Sequence, residues 1–440
     1  MTDSHRFRSF VLKGYAGTGK TTMMGAIVKT IGKLGWNTVL LAPTGRAAKV
    51  LSNHTGKKAY TIHKKIYSRK TRDGYSYFEL LPNMHTQTLF VIDEASMIGK
   101  DGGMMGGGFQ SRNLMEDLLR FIYRGKNCLA IFVGDPAQLP PVGLADSPAL
   151  DSTYIQETFS LKTYEVELKT VVRQAADSGI LLNATAIRNL LESKNFIFPT
   201  FQLSGYPDVV RINGQELQDE LEWAFSNYGS DGVRVITRSN KRANQYNMQV
   251  RSRIFWLDNE LNGGDQLMVV KNNYFWLPED SSAGFIANGD ILTVQKVKGE
   301  SEMYGLRFAD VEVRLVDYPD LPEIETKVIL NTLQVEGPSL PAEQHKQLFE
   351  QISEDYSDEP DRKKRMEKIM NDPWYNALQI KFGWALTCHK AQGGQWPVVF
   401  VDQGYLTDEM MDQEFLRWLY TAITRASVKL YLVNFNDKFF

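Results

Sequence analysis

The feature that most constrains this chain is a glycine-rich segment near its N-terminus. Four residues separate Gly14 from Gly19, and Lys20 and Thr21 follow directly, which is the phosphate-loop pattern. A short apolar run (10–12) precedes the segment and a helix-like stretch follows it, as the pattern requires. Glycines let backbone N–H groups turn towards phosphates, the lysine neutralises their charge and the threonine hydroxyl suits Mg²⁺. The chain is therefore predicted to bind a nucleoside triphosphate. The residues predicted to contact it here are Gly14, Tyr15, Ala16, Gly17, Thr18, Gly19, Lys20, Thr21 and Thr22.

Length and composition bound the alternatives. A chain of 440 residues predicts two to four packed units, and 43% hydrophobic with 23% charged residues is typical of a soluble globular protein. A formal net charge of −2 excludes a basic shell, so a nucleic-acid surface would have to be a local cleft. Cys128 and Cys388 suggest neither a disulfide framework nor a zinc site, and we expect a cytoplasmic protein. No apolar run approaches the roughly 20 residues of a membrane helix, and no signal peptide is visible, so no membrane association is expected.

Short apolar runs that end in polar or glycine-rich segments predict two parallel sheets, and hence an α/β fold. Functional loops are then expected at the C-terminal ends of the strands. The runs predicted for the first sheet are 10–12, 38–42, 89–92 and 129–133. The second sheet is predicted to start at 164–168 and to continue at 232–237, 398–401 and 429–433.

Two insertions interrupt this alternation. Asp73-Gly74, between aromatic and basic residues within 64–88, predicts a hairpin. Short strand-like runs within 284–375 predict a small barrel, with a helical tail at 342–370. A glycine- and methionine-rich run, 102–108, is predicted to be a mobile loop. The predicted domains are a first α/β domain at 1–160 that carries the hairpin, a second built from 161–283 and 376–440, and the inserted domain at 284–375.

Further residues suited to hydrolysis follow two of the predicted strands. Asp93 can hold Mg²⁺ through water, and Glu94 can orient or deprotonate the attacking water. Taken alone, such a pair more often begins a solvated helix, but the phosphate loop favours the functional interpretation. Gln138 precedes Pro140 and Pro141, whose rigid turn could place its amide near a γ-phosphate. An ordinary proline-rich loop is the alternative.

Eight ordered segments resemble the motifs of superfamily 1 helicases of the RecD/Dda-like group, which move 5′ to 3′. The resemblance covers nearly the whole chain. The segments are 14–22 (motif I), 42–48 (Ia), 60–63 (Ib), 93–96 (II), 134–141 (III), 168–174 (IV), 386–394 (V) and 419–426 (VI).

This resemblance implies a fold and an activity. It implies two RecA-like motor domains with an SH3-like barrel inserted in the second, and a helicase that uses ATP and Mg²⁺. It also implies that closure of the motor domains drives movement along single-stranded DNA and the opening of forked duplex DNA. The expected protein is a monomer, with replication or repair proteins as candidate partners. The direction of movement follows from the resemblance alone.

The same resemblance assigns an ATP-site role to residues late in the chain. Arg173 and Arg425 would act as arginine fingers if the two sheets face each other, and Gly394 would contact the nucleotide. Either arginine by itself would more often form a surface ion pair. The residues predicted to act in catalysis are Lys20, Asp93, Glu94, Gln138, Arg173 and Arg425, with Thr21 and Asp93 on the metal.

Motifs Ia, Ib and V supply small polar and cationic groups that suit phosphate contacts without reading bases. A satisfied structural histidine is the alternative for each of the two histidines. In the hairpin, Tyr75, Tyr77 or Phe78 would form a wedge that stacks on the first base pair, and core packing is an equal alternative. The predicted DNA-binding residues are Pro43, Thr44, Arg46, Thr61, His63, Thr387, His389 and Lys390.

One departure from the family pattern concerns the base. Relatives usually carry a glutamine upstream of the phosphate loop that recognises adenine, but none of the 13 residues before Gly14 is glutamine. Either the N-terminus is truncated, or adenine selectivity is relaxed or supplied from elsewhere, and weakened base discrimination is the hypothesis. A P-loop kinase and a strand-gripping ATPase switch remain alternative functions, and the residues do not decide between a DNA and an RNA track.

Overall fold

The computed structural model describes residues 7–72, 75–99, 113–171, 177–278 and 281–440, without the side chains of 69–72 and 75–77. The predicted mobile loop 102–108 lies outside this part. The strands are β1 Arg8–Gly14, β2 Asn37–Ala42, β3 Ala59–Thr61, β4 Tyr67–Arg72, β5 Tyr75–Leu80, β6 Thr86–Ile92, β7 Lys126–Gly134, β8 Lys162–Leu168, β9 Val209–Ile212, β10 Val233–Thr237, β11 Gln266–Val269, β12 Ile291–Met303, β13 Leu306–Leu315, β14 Ile324–Ile329, β15 Leu378–Phe382, β16 Ala385–Thr387, β17 Trp396–Asp402 and β18 Ala426–Val433. The helices are α1 Lys20–Lys33, α2 Gly45–Thr55, α3 Ile62–Ile66, α4 Leu114–Arg124, α5 Ser152–Phe159, α6 Gly179–Glu192, α7 Leu217–Gly232, α8 Asn240–Gln249, α9 Asn331–Gln334, α10 Ala342–Asp355, α11 Arg362–Met370, α12 Cys388–Ala391 and α13 Gln413–Ile423.

The first sheet has the strand order β3-β2-β6-β7-β1-β8, and its neighbouring strands run parallel. The four predicted strands are confirmed, as β1, β2, β6 and β7. Their central residues, such as Leu40, Phe90 and Phe132, are fully buried. Because β6, β7 and β1 are neighbours, the segments that follow them meet at one edge of the sheet.

Strand β8 corrects one prediction. The run 164–168 was expected to begin the second sheet, but the structure pairs β8 with β1 in the first sheet. The Phe10 and Tyr164 rings stack with centroids 5.3 Å apart, and Lys13 Nζ lies 2.7 Å from Glu165 Oε1. The pattern of a strand does not identify its neighbour, and β8 is an edge strand with several exposed residues, so only the cross-strand contacts reveal its sheet.

The second sheet has the order β16-β10-β17-β18-β9. The pairs β10–β16, β17–β18 and β18–β9 run parallel. The predicted runs 232–237, 398–401 and 429–433 are confirmed, as β10, β17 and β18, whereas β9 and β16 were not predicted. Inside this sheet the buried rings of Phe400 and Tyr431 stack with centroids 4.3 Å apart. Two RecA-like parallel sheets are therefore present, as predicted.

The predicted barrel is also confirmed. Strands β11 to β15 close into a barrel that is antiparallel except for the parallel pair β14–β15. Strands β12 to β14 lie within the predicted segment 284–375, but β11 and β15 lie on either side of it. The predicted tail forms two helices, α10 and α11, which share a buried cluster with the barrel that includes Phe308, Leu348 and Ile369.

By internal packing the chain divides into two compact units. Unit 1 comprises Met1–Ser68, Leu80–Asn213 and Ala391–Phe440, and unit 2 comprises Arg69–Glu79 and Gly214–Lys390. Unit 1 thus contains the first sheet with β9, β17, β18 and α13, and unit 2 contains most of the hairpin with the barrel. The predicted domain boundaries at 1–160, 161–283 with 376–440, and 284–375 stay predictions. Within the described ranges, no helix is both long enough and apolar enough to cross a bilayer.

Candidate nucleotide site and strand-binding residues

The phosphate loop in unit 1 has a conformation that suits an anion. Gly19 caps α1 with a φ of 83° in the left-handed region, which favours glycine, and no side chain caps this helix start. The first backbone N–H groups of α1 therefore receive no side-chain cap from Gly19, and such a helix start suits an anion. Lys20 Nζ donates to the carbonyl oxygens of Gly14 at 2.5 Å and Tyr15 at 2.9 Å, and Thr18 Oγ1 donates to Tyr15 O at 2.8 Å. The lysine is thus held over the concave side of its own loop.

Tyr15 anchors the loop from outside. Its hydroxyl donates to Glu167 Oε1 at 2.6 Å, and the Arg188 guanidinium lies 4.7 Å from the centre of its ring. Burial, the hydrogen bond to Glu167 and the charge of that carboxylate raise the pKa of Tyr15. The loop is therefore fastened to β8 and α6.

Asp93 and Glu94 follow β6 at the same edge of the sheet. Glu94 has a φ of 49° and a ψ of 39°, a left-handed conformation that is uncommon for a residue with a side chain and is often found at functional sites. Removal from solvent and the neighbouring charge of Glu94 together raise the pKa of Asp93 to about 7, although a backbone hydrogen bond at Glu94 and the charge of Lys20 oppose the shift. A cation at this position would relieve the repulsion between the two carboxylates.

The donor set fits Mg²⁺ bound together with phosphate groups. Thr21 lies in the first turn of α1 and Asp93 at the end of β6. The part of the chain that the structure describes holds no group of three or more His, Cys, Asp or Glu side chains that could hold a metal ion. Mg²⁺ usually takes one or two protein ligands and completes its shell with phosphates and water. Two oxygen donors beside a phosphate loop meet that requirement.

A buried network joins the loop to residues far along the chain. The hydroxyl of Tyr420, on α13, accepts from the Ala16 N–H at 2.8 Å and donates to Asp135 Oδ2 at 2.8 Å. Asp135 Oδ1 accepts from Ala137 N at 3.0 Å, and Lys20 Nζ lies 3.6 Å from Asp135 Oδ2. Tyr420 was not predicted as a site residue although it lies in a matched motif, because a tyrosine on an apolar helix face resembles ordinary core.

Gln138 lies beside a polar cavity. The cavity has a volume of about 230 Å³, and Ser96, Asp135 and Gln138 are among its lining residues. Both Ser96 Oγ and Gln138 Oε1 are buried and have no hydrogen-bond partner among the residues described. An amide oxygen without a partner is suited to accept a hydrogen bond from a water molecule, and the role of Gln138 beside a γ-phosphate stays a prediction.

Hydrogen bonds connect helix α13 to the segment that contains Gln138. Leu139 N donates to Thr421 Oγ1 at 2.9 Å, and Gln392 Nε2 donates to Leu139 O at 2.7 Å. Arg417 donates to Asp146 Oδ1 at 2.7 Å. These contacts all lie within unit 1 and fix the helix that carries Tyr420 and precedes Arg425.

The structure brings Arg425 and Gly394 together. The Arg425 side chain is buried, and its guanidinium donates to Gly394 O at 3.2 Å, Thr421 O at 3.0 Å and Thr424 Oγ1 at 3.2 Å. A Cβ on Gly394 would lie 2.5 Å from the Trp396 ring, so only glycine fits there. Arg173 lies outside the described residues, and the arginine-finger roles stay predictions.

The predicted strand-binding residues of unit 1 have local partners. Thr44 Oγ1 accepts from Ala47 N at 3.2 Å, and Thr61 Oγ1 accepts from Lys64 N at 3.2 Å, so both hydroxyls cap helices. Pro43, before α2, is half-buried. The Arg46 guanidinium lies 4.3 Å from the centre of the Trp396 ring and donates to Gln395 O at 3.3 Å.

Two of the predicted contacts are less basic than their residue types suggest. Burial lowers the pKa of His63 to about 4, so the imidazole is neutral near pH 7 and can offer a hydrogen bond but not a charge. In unit 2, burial lowers the pKa of Lys390 to about 8. Lys390, Thr387 and His389 are each half-buried at β16 and α12.

The hairpin is confirmed as the two-stranded sheet β4–β5. The side chains of Tyr75 and Tyr77 lie outside the described residues, so their wedge role stays a prediction. The ring of Phe78 lies 4.9 Å from that of Tyr274, which in turn lies 4.6 Å from Phe285. These contacts, all within unit 2, favour packing over base stacking for Phe78.

Two protein families match this chain. Residues 2–193 match the AAA domain family, and residues 382–433 match the UvrD-like helicase C-terminal domain. The first match contains the phosphate loop, Asp93, Glu94 and Gln138. The second contains Gly394, Tyr420 and Arg425.

Two curated relatives align along nearly the whole chain. The ATP-dependent RecD2 DNA helicase of Deinococcus radiodurans is 26% identical over 440 residues, 95% of this chain and 46% of the relative. The ATP-dependent DNA helicase dda of Enterobacteria phage T4 is 25% identical over 455 residues, 96% of this chain and 93% of the relative. The chain therefore spans about half the length of the first relative and nearly all of the second.

Among solved structures, Pif1 helicases are similar to this chain. One, described in connection with DNA unwinding at forked duplex DNA by two coordinating Pif1 helicases, is 16% identical with a TM-score of 0.48 and covers 99% of this chain and 90% of its own. A Pif1 helicase from Bacteroides in complex with ADP-AlF3 and single-stranded DNA is 16% identical with a TM-score of 0.44, at the same coverage.

Proposed function

Since the chain belongs to the RecD/Dda-like family of superfamily 1 helicases, we propose that it hydrolyses ATP to move 5′ to 3′ along single-stranded DNA and to unwind duplex DNA. The observation that carries the proposal is the buried network in which Tyr420 joins the phosphate loop, at Ala16, to Asp135. Such a network connects the nucleotide-binding loop to the motif VI helix. A simple nucleotide-binding domain has no need of that connection.

In hydrolysis, the N-terminus of α1 and Lys20 would hold the β- and γ-phosphates. Glu94 would orient the attacking water and accept its proton, and Gln138 would bond to the γ-phosphate or that water. Thr21 and Asp93 would hold Mg²⁺, which when bound supplies positive charge to the phosphate oxygens. Arg425, with Arg173, would stabilise the charge that develops on the transferred phosphoryl group. The present hydrogen bonds of the Arg425 guanidinium would have to open first.

Movement follows if the two motor domains close on ATP and reopen after hydrolysis, since grip on the strand then alternates between them. Pro43, Thr44, Arg46, Thr61 and His63 would hold the phosphate backbone from the first domain. Thr387, His389 and Lys390 would hold it from the second. Such contacts bind without reading bases and weaken as salt rises.

The proposal is tested by ATP hydrolysis with single-stranded DNA, single-stranded RNA, or no nucleic acid. We expect DNA to stimulate turnover strongly and RNA to stimulate it less. Turnover that no nucleic acid stimulates would contradict a translocating motor and favour a kinase-like enzyme. Stimulation without any strand displacement would favour the ATPase switch.

Two further expectations belong to this proposal. The motor acts as a monomer in the cytoplasm, and replication or repair proteins are its candidate partners. Light scattering with and without a single-stranded oligonucleotide tests the first part. A dimer on an oligonucleotide too short for two copies would contradict it.

A further inference from the structure

Tyr420 occupies a position that ordinary core packing does not require. Its side chain is 1% exposed, yet its hydroxyl bonds with groups on two other segments, the Ala16 N–H and Asp135 Oδ2, each at 2.8 Å. A hydroxyl can accept one hydrogen bond while it donates another. Burial and the Asp135 carboxylate raise the pKa of Tyr420 well above its ordinary value, so the hydroxyl keeps its proton and remains a donor to Asp135.

The same oxygen of Asp135, Oδ2, also approaches Lys20. Lys20 Nζ lies 3.6 Å from it, beyond hydrogen-bond length, and instead donates to Gly14 O at 2.5 Å and Tyr15 O at 2.9 Å. A buried carboxylate needs hydrogen bonds in place of water. Tyr420 supplies one to the oxygen that would otherwise pair with the lysine.

We infer that Tyr420 is a positioning residue for nucleotide binding: its hydroxyl satisfies Asp135 so that Lys20 stays available to phosphates, and it fixes the loop through the Ala16 N–H. This role rests on the proposed function, because it concerns the same ATP site. Two neighbouring hydrogen bonds, from Leu139 N to Thr421 Oγ1 and from Arg417 to Asp146, hold α13 in place, so the tyrosine cannot withdraw without moving the helix.

The first test is Tyr420→Phe, which keeps the ring and removes the hydroxyl. Without that donor, Asp135 would draw Lys20 from its present distance of 3.6 Å into a shorter, hydrogen-bonded ion pair, and the Ala16 N–H would lose its acceptor. We expect the Kd for ATP with Mg²⁺, measured by titration calorimetry, to rise about tenfold, because hydrogen bonds to charged groups are among the stronger ones. The matched control is Tyr67→Phe, which removes another buried 2.8 Å hydrogen bond within unit 1, to Asp117. Its Kd should equal that of the wild type, with a comparable loss of thermal stability.

The second test separates positioning from simple structural support. Asp135→Asn removes the charge that competes for Lys20, so by itself it should tighten ATP binding by up to about threefold. Tyr420→Phe should then weaken binding less than it does in the wild type, because only the acceptor for the Ala16 N–H is lost. An unchanged Kd in Tyr420→Phe, or an equal loss in the two backgrounds, would overturn the inference. If Tyr420→Phe fails to fold, the Asp135→Asn variant tests the inference by itself. Weaker ATP binding by Asp135→Asn would show that Asp135 does not compete with phosphate for Lys20. These tests measure ATP binding and not hydrolysis. If DNA fails to stimulate hydrolysis by the wild type, the proposed function is refuted, but the Kd values of the variants still test the role of Tyr420.

Discussion

The nucleotide site and the predicted strand-binding residues differ in what holds their side chains. At the nucleotide site, Ala16, Asp135 and Tyr420 come from distant parts of the chain. They meet through a buried hydrogen bond between Tyr420 and Asp135 and a half-buried one between Ala16 and Tyr420. In the strand-binding set, Thr44 and Thr61 bond to the backbone three residues on. Long-range contacts within the protein thus fix the first geometry, whereas short-range helix caps hold the two hydroxyls of the second set, and their contacts with nucleic acid stay a prediction. Substitutions should therefore have large, coupled effects at the first and small, salt-dependent effects at the second.

The largest effect is expected from Lys20→Ala. Removal of the ammonium group leaves the charge of the β- and γ-phosphates without its main partner in the loop. We expect DNA-stimulated kcat to fall by about 1,000-fold or more. A coupled assay of phosphate release checks this. Turnover within tenfold of the wild type would contradict the assigned site.

Glu94→Gln should reduce turnover nearly as much as Lys20→Ala does, but ATP binding should be retained. The amide cannot accept a proton from the attacking water, so kcat should fall by about 100- to 1,000-fold. The Kd for ATP should stay within about threefold of the wild type, because Glu94 is not expected to hold phosphate. A parallel loss of binding and turnover would show that Glu94 supports the loop instead.

An intermediate effect is expected at the strand. Lys390→Ala should weaken single-stranded DNA binding by about five- to tenfold and reduce the salt slope by about one. Fluorescence anisotropy at several salt concentrations measures both. Lys346→Ala, at an exposed lysine of α10, is the control and should change neither.

The same residue predicts a pH dependence. The pKa of Lys390 is lowered to about 8, so its charge is present below pH 8 and is lost above it. Lys381, whose pKa is lowered to about 8 by burial and by Lys390, should titrate in the same range. DNA affinity of the wild type should therefore fall between pH 7 and pH 9, and Lys390→Arg should lose less. An equal loss of DNA affinity in the wild type and in Lys390→Arg would show that Lys390 does not contact the DNA strand.

The smallest effect is expected from Phe78→Ala, which removes the ring contact with Tyr274. The loss of one ring contact costs about 0.5–1.5 kcal/mol, so the hairpin would be held less firmly. We therefore expect the rate of strand separation to fall about threefold. DNA-stimulated ATP hydrolysis should not change. Phe78→Tyr keeps the ring and should unwind like the wild type. A fall in the rate of ATP hydrolysis would show that the hairpin supports the nucleotide site.

The sequence predicted the parts of the fold that depend on local pattern. The run 89–92 is buried on both faces of a sheet, and 129–133 is buried apart from the half-buried Leu129 and Ile131, as their apolar composition indicates. Strand β8 could not be assigned because its pattern does not reveal that it pairs with β1. Strands β11 and β15 close the barrel but have only four and five residues, too few for a clear pattern.

The site divides in the same way. Lys20, Asp93, Glu94 and Gln138 lie in recognisable motifs next to predicted strands. Tyr420 could not be predicted because its partner Asp135 lies 285 residues away, and only the fold brings the two together. The neutral state of His63 likewise follows from its burial, not from its residue type.

Partial duplexes that carry a single-stranded tail at either the 5′ or the 3′ end distinguish an ATP-driven directional motor from any other ATPase. With ATP and Mg²⁺, the wild type should displace the strand from the 5′-tailed substrate, and neither Lys20→Ala nor the wild type without ATP should do so. The 3′-tailed substrate should stay paired. Unwinding from the 3′ tail alone would contradict the proposed direction, and unwinding that does not depend on ATP would contradict the motor itself.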